Sequence, residues 1–146
     1  VRFIEFMDVG ATNGWTPGQV VPTSEILDFL SKEFDLVPIM RDSPSDVATR
    51  WGHSDGSGEI GFISSVSQPF CGDCVRARLS SNGNLFTCLF TSVGHDMSEL
   101  IRGEEDVSKL TEAIKQVWIR RSDRYSEERS SSAYSLPRVE MSYIGG

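Results

Sequence analysis

The sequence contains no fourth cysteine. Cys71, Cys74 and Cys88 are the only three thiols in 146 residues, and His53 and His95 are the only two histidines. Three thiols without a secretory signal argue against a disulfide framework and for reduced, metal-ligating cysteines. That suits a cytoplasmic protein, or a mitochondrial-matrix one in a eukaryote. No stretch of about 18 uninterrupted apolar residues occurs, so no membrane span is expected, and no basic-then-apolar leader is expected either. Positive charge is also scarce: 14 Lys and Arg stand against 21 Asp and Glu, a formal net charge of -7. The average field therefore repels nucleic acid and anionic membranes, and any anionic ligand has to be held by a local group of arginines. With 38% hydrophobic residues the chain can bury one modest core, so a single compact unit, or a piece of something larger, is expected.

Val1 to Met7 (VRFIEFM) is rich in β-formers and is bounded by Asp8-Val9-Gly10, which predicts a strand beginning at the first residue. A strand with no flexible lead is unusual for a natural N-terminus. The expectation is an excised C-terminal part of a longer protein, its first strand deprived of neighbours. Thr16-Pro17-Gly18 breaks the chain, and Pro22-Thr23 opens an amphipathic helix to about Phe34, with Ile26, Leu30 and Phe34 on its core face. Residues 41–58 read as a loop holding Trp51 and His53, in which the isolated His53 is a solvated side chain, and 59–64 as a short strand. Residues 98–102 predict a helical turn stopped by Gly103. Residues 106–121 predict a helix with Asp106 as N-cap and Val107, Leu110, Ile114, Val117 and Trp118 on one face. The charged, Ser-rich run of residues 120–124 and 126–132 reads as a solvated loop.

The stretch FCGDCVRARLSSNGNLFTCLF, residues 70–90, gathers the chemistry. Asn82-Gly83 between alternating segments is a strong hairpin signal. Arg76 and Arg78 share one strand face, and Cys74 shares it if the strand has begun there. A two-residue Asn82-Gly83 turn sets Cys88 opposite Ala77. A three-residue Ser81-Asn82-Gly83 turn, with Gly83 left-handed, sets it opposite Arg76 and is the expected register. Cys-x2-Cys-x13-Cys is a specific metal signal, open to two solutions. One is structural zinc, which is four-coordinate and would need His95 or His53 as its fourth ligand. The other is a [4Fe–4S] cluster held by three thiolates, leaving one iron open to a ligand outside the protein.

These residues carry a resemblance. RFIEFMDVG with NGW (2–10, 13–15), the cysteine stretch, DRYSEER (123–129) and the ending MSYIGG (141–146) resemble the molybdenum cofactor biosynthesis protein A family of GTP 3′,8-cyclases, along the whole chain. Members are radical S-adenosylmethionine enzymes. In them an N-terminal [4Fe–4S] cluster, on a Cys-x3-Cys-x2-Cys motif in a partial (β/α) barrel, cleaves S-adenosylmethionine. The resulting radical abstracts hydrogen from the ribose C3′ of GTP, and the sugar closes onto guanine C8. A second cluster, on a C-terminal three-cysteine motif, holds the base through its open iron.

The resemblance implies an α+β fold, with residues 1–15 as the last strand and loop of a barrel and 16–146 as an iron–sulfur, GTP-binding domain carrying the cysteine hairpin in a small antiparallel sheet. Cys71, Cys74 and Cys88 would ligate the second cluster. Arg76 and Arg78 would hold the GTP triphosphate, with Arg2 near the nucleotide, and Met7 would contact S-adenosylmethionine. Gly145 and Gly146 would enter the active site as a tail. From composition alone that tail is a frayed end, although Val139, Met141 and Tyr143 alternate like a strand up to Ile144. Full-length members are expected to pair as homodimers and to pass their product to cyclic pyranopterin monophosphate synthase.

One departure limits what the chain can do alone. The Cys-x3-Cys-x2-Cys motif is absent, and three cysteines cannot ligate two such clusters. S-adenosylmethionine and the other cluster would belong to an N-terminal part, and this chain alone is expected to be inactive. Two rival classes are a zinc-ribbon structural or binding module and an electron-transfer domain, the latter usually wanting four thiolates.

Overall fold

The computed structural model describes residues 1–103, 106–129 and 138–144. It is α+β, but the single core expected from length gives way to two compact units, Val1–Asp8 with Trp15–Val75 and Val9–Gly14 with Arg76–Gly146. Each has a small core of its own, Ile60 and Phe62 in the first, and Leu85, Phe86, Met97, Tyr125 and Ile144 in the second.

The first unit is a four-stranded sheet in the order β1-β4-β3-β2, from β1 (Arg2–Ile4), β2 (Leu36–Ile39), β3 (Thr49–His53) and β4 (Glu59–Ile63). The opening strand is not left without neighbours. It runs parallel to β4 with Phe3 opposite Phe62, and the two rings stack at 5.5 Å. The helix α1 (Thr23–Leu30) is shorter than its apolar spacing predicts. Leu36 pairs with His53, and the Asp35 carbonyl accepts the Ser54 N–H at 3.0 Å, so strand pairing draws the chain out of the helix. β3 lies in the stretch read as a loop, and β2 in residues for which no element was expected. β2 carries Pro38, which lacks an N–H and is tolerated because β2 lies at the sheet edge. β3 carries Trp51 and His53, both half-buried, and His53, expected as a solvated side chain, meets the edge of Phe34 at 5.4 Å.

The second unit has a three-stranded antiparallel sheet of β5 (Arg78–Leu79), β6 (Asn84–Phe86) and β7 (His95–Asp96). It also has the helices α2 (Ser98–Arg102), α3 (Val107–Ile119) and α4 (Tyr125–Glu128). Gly103 ends α2, and the Asp106 side chain caps α3 by accepting the Ser108 N–H at 3.1 Å, both as the sequence predicts. No residue of α3 is buried, and Val107 and Ile119 are largely exposed. The charged run after α3 is not wholly solvated, since the Arg121 and Asp123 side chains are half-buried, and Tyr125 stands between its two parts. Tyr125 is 5% exposed, and its ring stacks on Phe90 at 4.5 Å. Residues 130–132 of that run lie outside the described residues. The alternation at 139–143 forms a 3-10 turn, Met141–Ile144, instead of a strand, closed by the Tyr143 N–H on the Glu140 carbonyl. Among the described residues no helix is long and apolar enough to cross a membrane.

Candidate functional site

In the first unit, β4 delivers the chain to the cysteines through residues 64–70. Ser64 and Ser65 are buried, and the Gln68 N–H closes a turn on the Ser64 carbonyl at 3.0 Å. Cys71–Asp73 then makes one 3-10 turn, and the Cys74 N–H reaches the Cys71 carbonyl at 3.3 Å before Cys74 leaves in an extended conformation. Both residues are half-buried, and neither is in a disulfide. A Cys-x2-Cys pair on one tight turn is the local shape that grips a single metal ion.

The segment leading to this turn is held by a residue that sequence reading passed over. Glu5 follows β1 and is only 4% exposed. Its Oε1 accepts the Thr23 N–H at 2.9 Å, the Thr23 hydroxyl at 3.1 Å and the Ser67 hydroxyl at 2.5 Å. Its Oε2 accepts the N–H groups of Val66 and Ser67, each at 2.8 Å. Burial alone would raise the pKa of this carboxyl. The hydrogen bonds from Ser67, Thr23 and Val66 together hold it below the ordinary glutamate value. Met7 lies two residues further along and is half-buried.

In the second unit the hairpin has the register expected from sequence. Arg78 pairs with Phe86 and Leu79 with Leu85, leaving Ser81-Asn82-Gly83 as the turn, closed by the Gly83 N–H on the Ser80 carbonyl at 3.0 Å. Gly83 has φ +93°, and a Cβ there would lie 2.9 Å from Ser98 Cα, so only glycine fits. Two residues outward the register would set Arg76 opposite Cys88, but the ladder stops at Arg78 and Phe86. Cys74 and Arg76 therefore lie before the strand, and the shared strand face predicted for Cys74, Arg76 and Arg78 is not formed. Arg76 is exposed and Arg78 half-buried. Cys88 is half-buried and in no disulfide, and its Sγ accepts the Phe90 N–H at 3.5 Å. Metal-bound thiolates accept such contacts. Cys88 also lines a cavity of about 180 Å³ with Phe90, Tyr125, Arg124 and Arg138.

The three cysteines divide between the units, Cys71 and Cys74 in the first and Cys88 in the second. Among the described residues no three Cys, His, Asp or Glu side chains are grouped to hold a metal ion. Arg2 pairs with Glu59, whose carboxyl is thereby held below its ordinary pKa. His95 is exposed on β7. Gly145 and Gly146 lie outside the described residues. Just before them Ile144 is buried, Tyr143 Oη accepts the Asn82 side-chain amide at 2.7 Å, and Glu140 accepts the Ala11 N–H at 2.8 Å.

Comparison with known proteins decides the family. The family model described as Molybdenum Cofactor Synthesis C matches residues 1–127. The chain belongs to that family. Over 100% of its length it is 48% identical to a GTP 3′,8-cyclase of Xanthomonas campestris pv. campestris (strain B100) and 46% identical to one of Synechococcus sp. (strain CC9902), covering 42% of each. It is 44% identical to a GTP 3′,8-cyclase of Acidothermus cellulolyticus, covering 47% of that relative. The chain thus spans less than half the length of the curated relatives it matches, and what it matches is their C-terminal part. The resemblance read from the sequence holds for the family.

Proposed function

We propose that this chain is the C-terminal, cluster-binding and GTP-binding part of a GTP 3′,8-cyclase, which converts GTP to 3′,8-cyclo-7,8-dihydro-GTP in the first step of molybdenum cofactor synthesis. The observation that carries the reading is a Cys-x2-Cys-x13-Cys motif inside a chain similar to GTP 3′,8-cyclases from end to end. Cys71, Cys74 and Cys88 would hold a [4Fe–4S] cluster. The donor set fits in its chemistry: three cysteines outside any disulfide, two of them on one tight turn and the third accepting an N–H on sulfur. When bound, such a cluster offers one iron without a protein ligand, to which the guanine base can coordinate.

The chain's own residues would bind and orient. Arg76 and Arg78 would hold the triphosphate, which suits the guanidinium fork and compensates a net charge of -7. Arg2 would join them by exchanging Glu59 for a phosphate oxygen. Met7 would lie against S-adenosylmethionine, and Gly145 and Gly146 would reach the reacting nucleotide. Residues 1–15 would be the last strand and loop of a barrel that carries the other cluster. Radical chemistry needs that barrel, so the chain alone would be inactive. The full-length protein would work as a cytoplasmic homodimer that hands its product to cyclic pyranopterin monophosphate synthase.

The test is anaerobic reconstitution of the full-length protein with iron and sulfide, with and without Cys88→Ser. The expected result is loss of most C-terminal-cluster iron in the variant, and a wild-type cluster spectrum perturbed by GTP. Unchanged iron and sulfide in the variant would refute the ligand assignment. Zinc in place of iron would return the site to a structural module.

A further inference from the structure

We propose that Glu5 is a positioning residue: by tying the Cys71–Cys74 turn to β1 it sets how these two thiols are presented to their cluster. The inference rests on the cluster reading of Cys71 and Cys74 and goes one layer behind it.

Glu5 sits where an apolar side chain would be expected. It follows a β-strand, points into a buried position, and among the described residues pairs with no cation. Burying a carboxylate is unfavourable unless its oxygens are fully served by donors. Here five donors converge on it, at 2.5 to 3.1 Å. Three of the five come from Val66 and Ser67. Two come from Thr23, the first residue of α1, whose N–H has no partner within the helix. The Thr23 hydroxyl is also within 2.7 Å of the Ser64 hydroxyl. One carboxylate thus fastens the end of β1, the start of α1 and the segment leaving β4. An apolar residue would fill the space, but only a directional network fixes the orientation of that segment.

The segment matters because the cysteine turn hangs from it. Between Ser67 and Cys71 stand only Gln68, Pro69 and Phe70. Pro69 has a fixed φ, so the link is short and partly rigid. A shift at residues 66–67 is passed on to the 3-10 turn that carries Cys71 and leads into Cys74. Residues that orient metal ligands from behind change metal affinity or activity by roughly tenfold or more when replaced.

The test uses the full-length protein reconstituted with iron and sulfide. Glu5→Gln keeps the size but sets an amide NH₂ among donors. Thr23→Ala removes one hydroxyl contact to Glu5 and leaves the three from residues 66 and 67. Melting temperature, iron content, the electron paramagnetic resonance of the reduced clusters and GTP affinity are measured for both. The expectation is that Glu5→Gln changes the GTP-dependent cluster signal and weakens GTP about tenfold. Thr23→Ala should lower the melting temperature and leave signal and affinity as in wild type. Glu5→Asp should recover part of the signal. If Glu5→Gln does not fold, Ser67→Ala takes its place with the same expected direction. A wild-type signal and GTP affinity in the folded variant would overturn the proposal, as would changes in both that simply track melting temperature across the variants. Failure of the cluster reading looks different: Cys71→Ser would then keep its full iron.

Discussion

At the scale of single residues, chemistry was legible where identity and spacing suffice and hidden where burial decides. If Arg76 and Arg78 act on phosphate, replacing both with Ala in the full-length enzyme should weaken GTP much more than guanosine, since charge-assisted forks act on the triphosphate alone. Equal losses for the two ligands, read by equilibrium binding, would assign these arginines to the fold. Glu5 makes a prediction in pH. Its pKa in the folded chain lies below the ordinary value, so its stabilising contribution is fully present above the unfolded glutamate pKa, about 4.3. It is lost as pH falls through the folded value. The gap in unfolding free energy between wild type and Glu5→Gln, read from urea denaturation, should therefore be widest above about pH 5, about 1–3 kcal/mol for a buried network left with an unmatched donor, and should narrow on acidification. A gap that widens toward acid pH would contradict the hydrogen-bond assignment. Cysteine spacing could be read at once. Glu5 could not, because nothing in RFIEFM announces that donors from residues 23, 66 and 67 will converge on its one carboxylate.

At the scale of elements, local signals were legible and pairings between distant segments were not. The Asp106 cap and the Ser81-Asn82-Gly83 turn arise from side chains a few residues apart, and both form as expected. β3 was obscured because Gly52 and Gly56 read as loop, and β2 drew no assignment at all. Their strand character comes from each other and from β4, with Trp51 between Pro38 and Ile60. The 3-10 turn Met141–Ile144 overrode an alternating pattern in the same way, because Tyr143 and Ile144 find partners that no strand register would supply. The hairpin turn gives the sharpest test at this scale. Gly83→Ala forces a left-handed backbone on a residue with a Cβ and presses that atom against Ser98, so it should destabilise by at least about 1–2 kcal/mol. It should also lower retention of the cluster at Cys88, five residues away. Thermal melting and iron content measure the two effects, and a variant as stable as wild type would mean that the turn relaxes freely.

At the scale of the whole chain, the elements and the resemblance anticipated the α+β class, but composition did not anticipate its division into two units, since a hydrophobic fraction reports how much can be buried and not in how many places. The division puts weight on how the C-terminal segment is held within its own unit. Ile144 is 1% exposed, Tyr143 is tied to Asn82 of the hairpin turn and meets Phe86 edge-on, and Glu140 accepts a hydrogen bond from Ala11. With Ile144 fixed, the two glycines beyond it can extend at most about 7 Å, the span of two residues. Having no side chains, they can enter a crowded site where any Cβ would clash. On the proposed role they reach the reacting nucleotide from there. Deleting Gly145 and Gly146 from the full-length enzyme should therefore leave both clusters and GTP binding largely intact and abolish cyclisation. A short synthetic peptide ending in the same residues should restore part of the turnover. Single-turnover assays on the truncated enzyme decide the matter, and normal product formation would show that the two glycines have no part in the reaction.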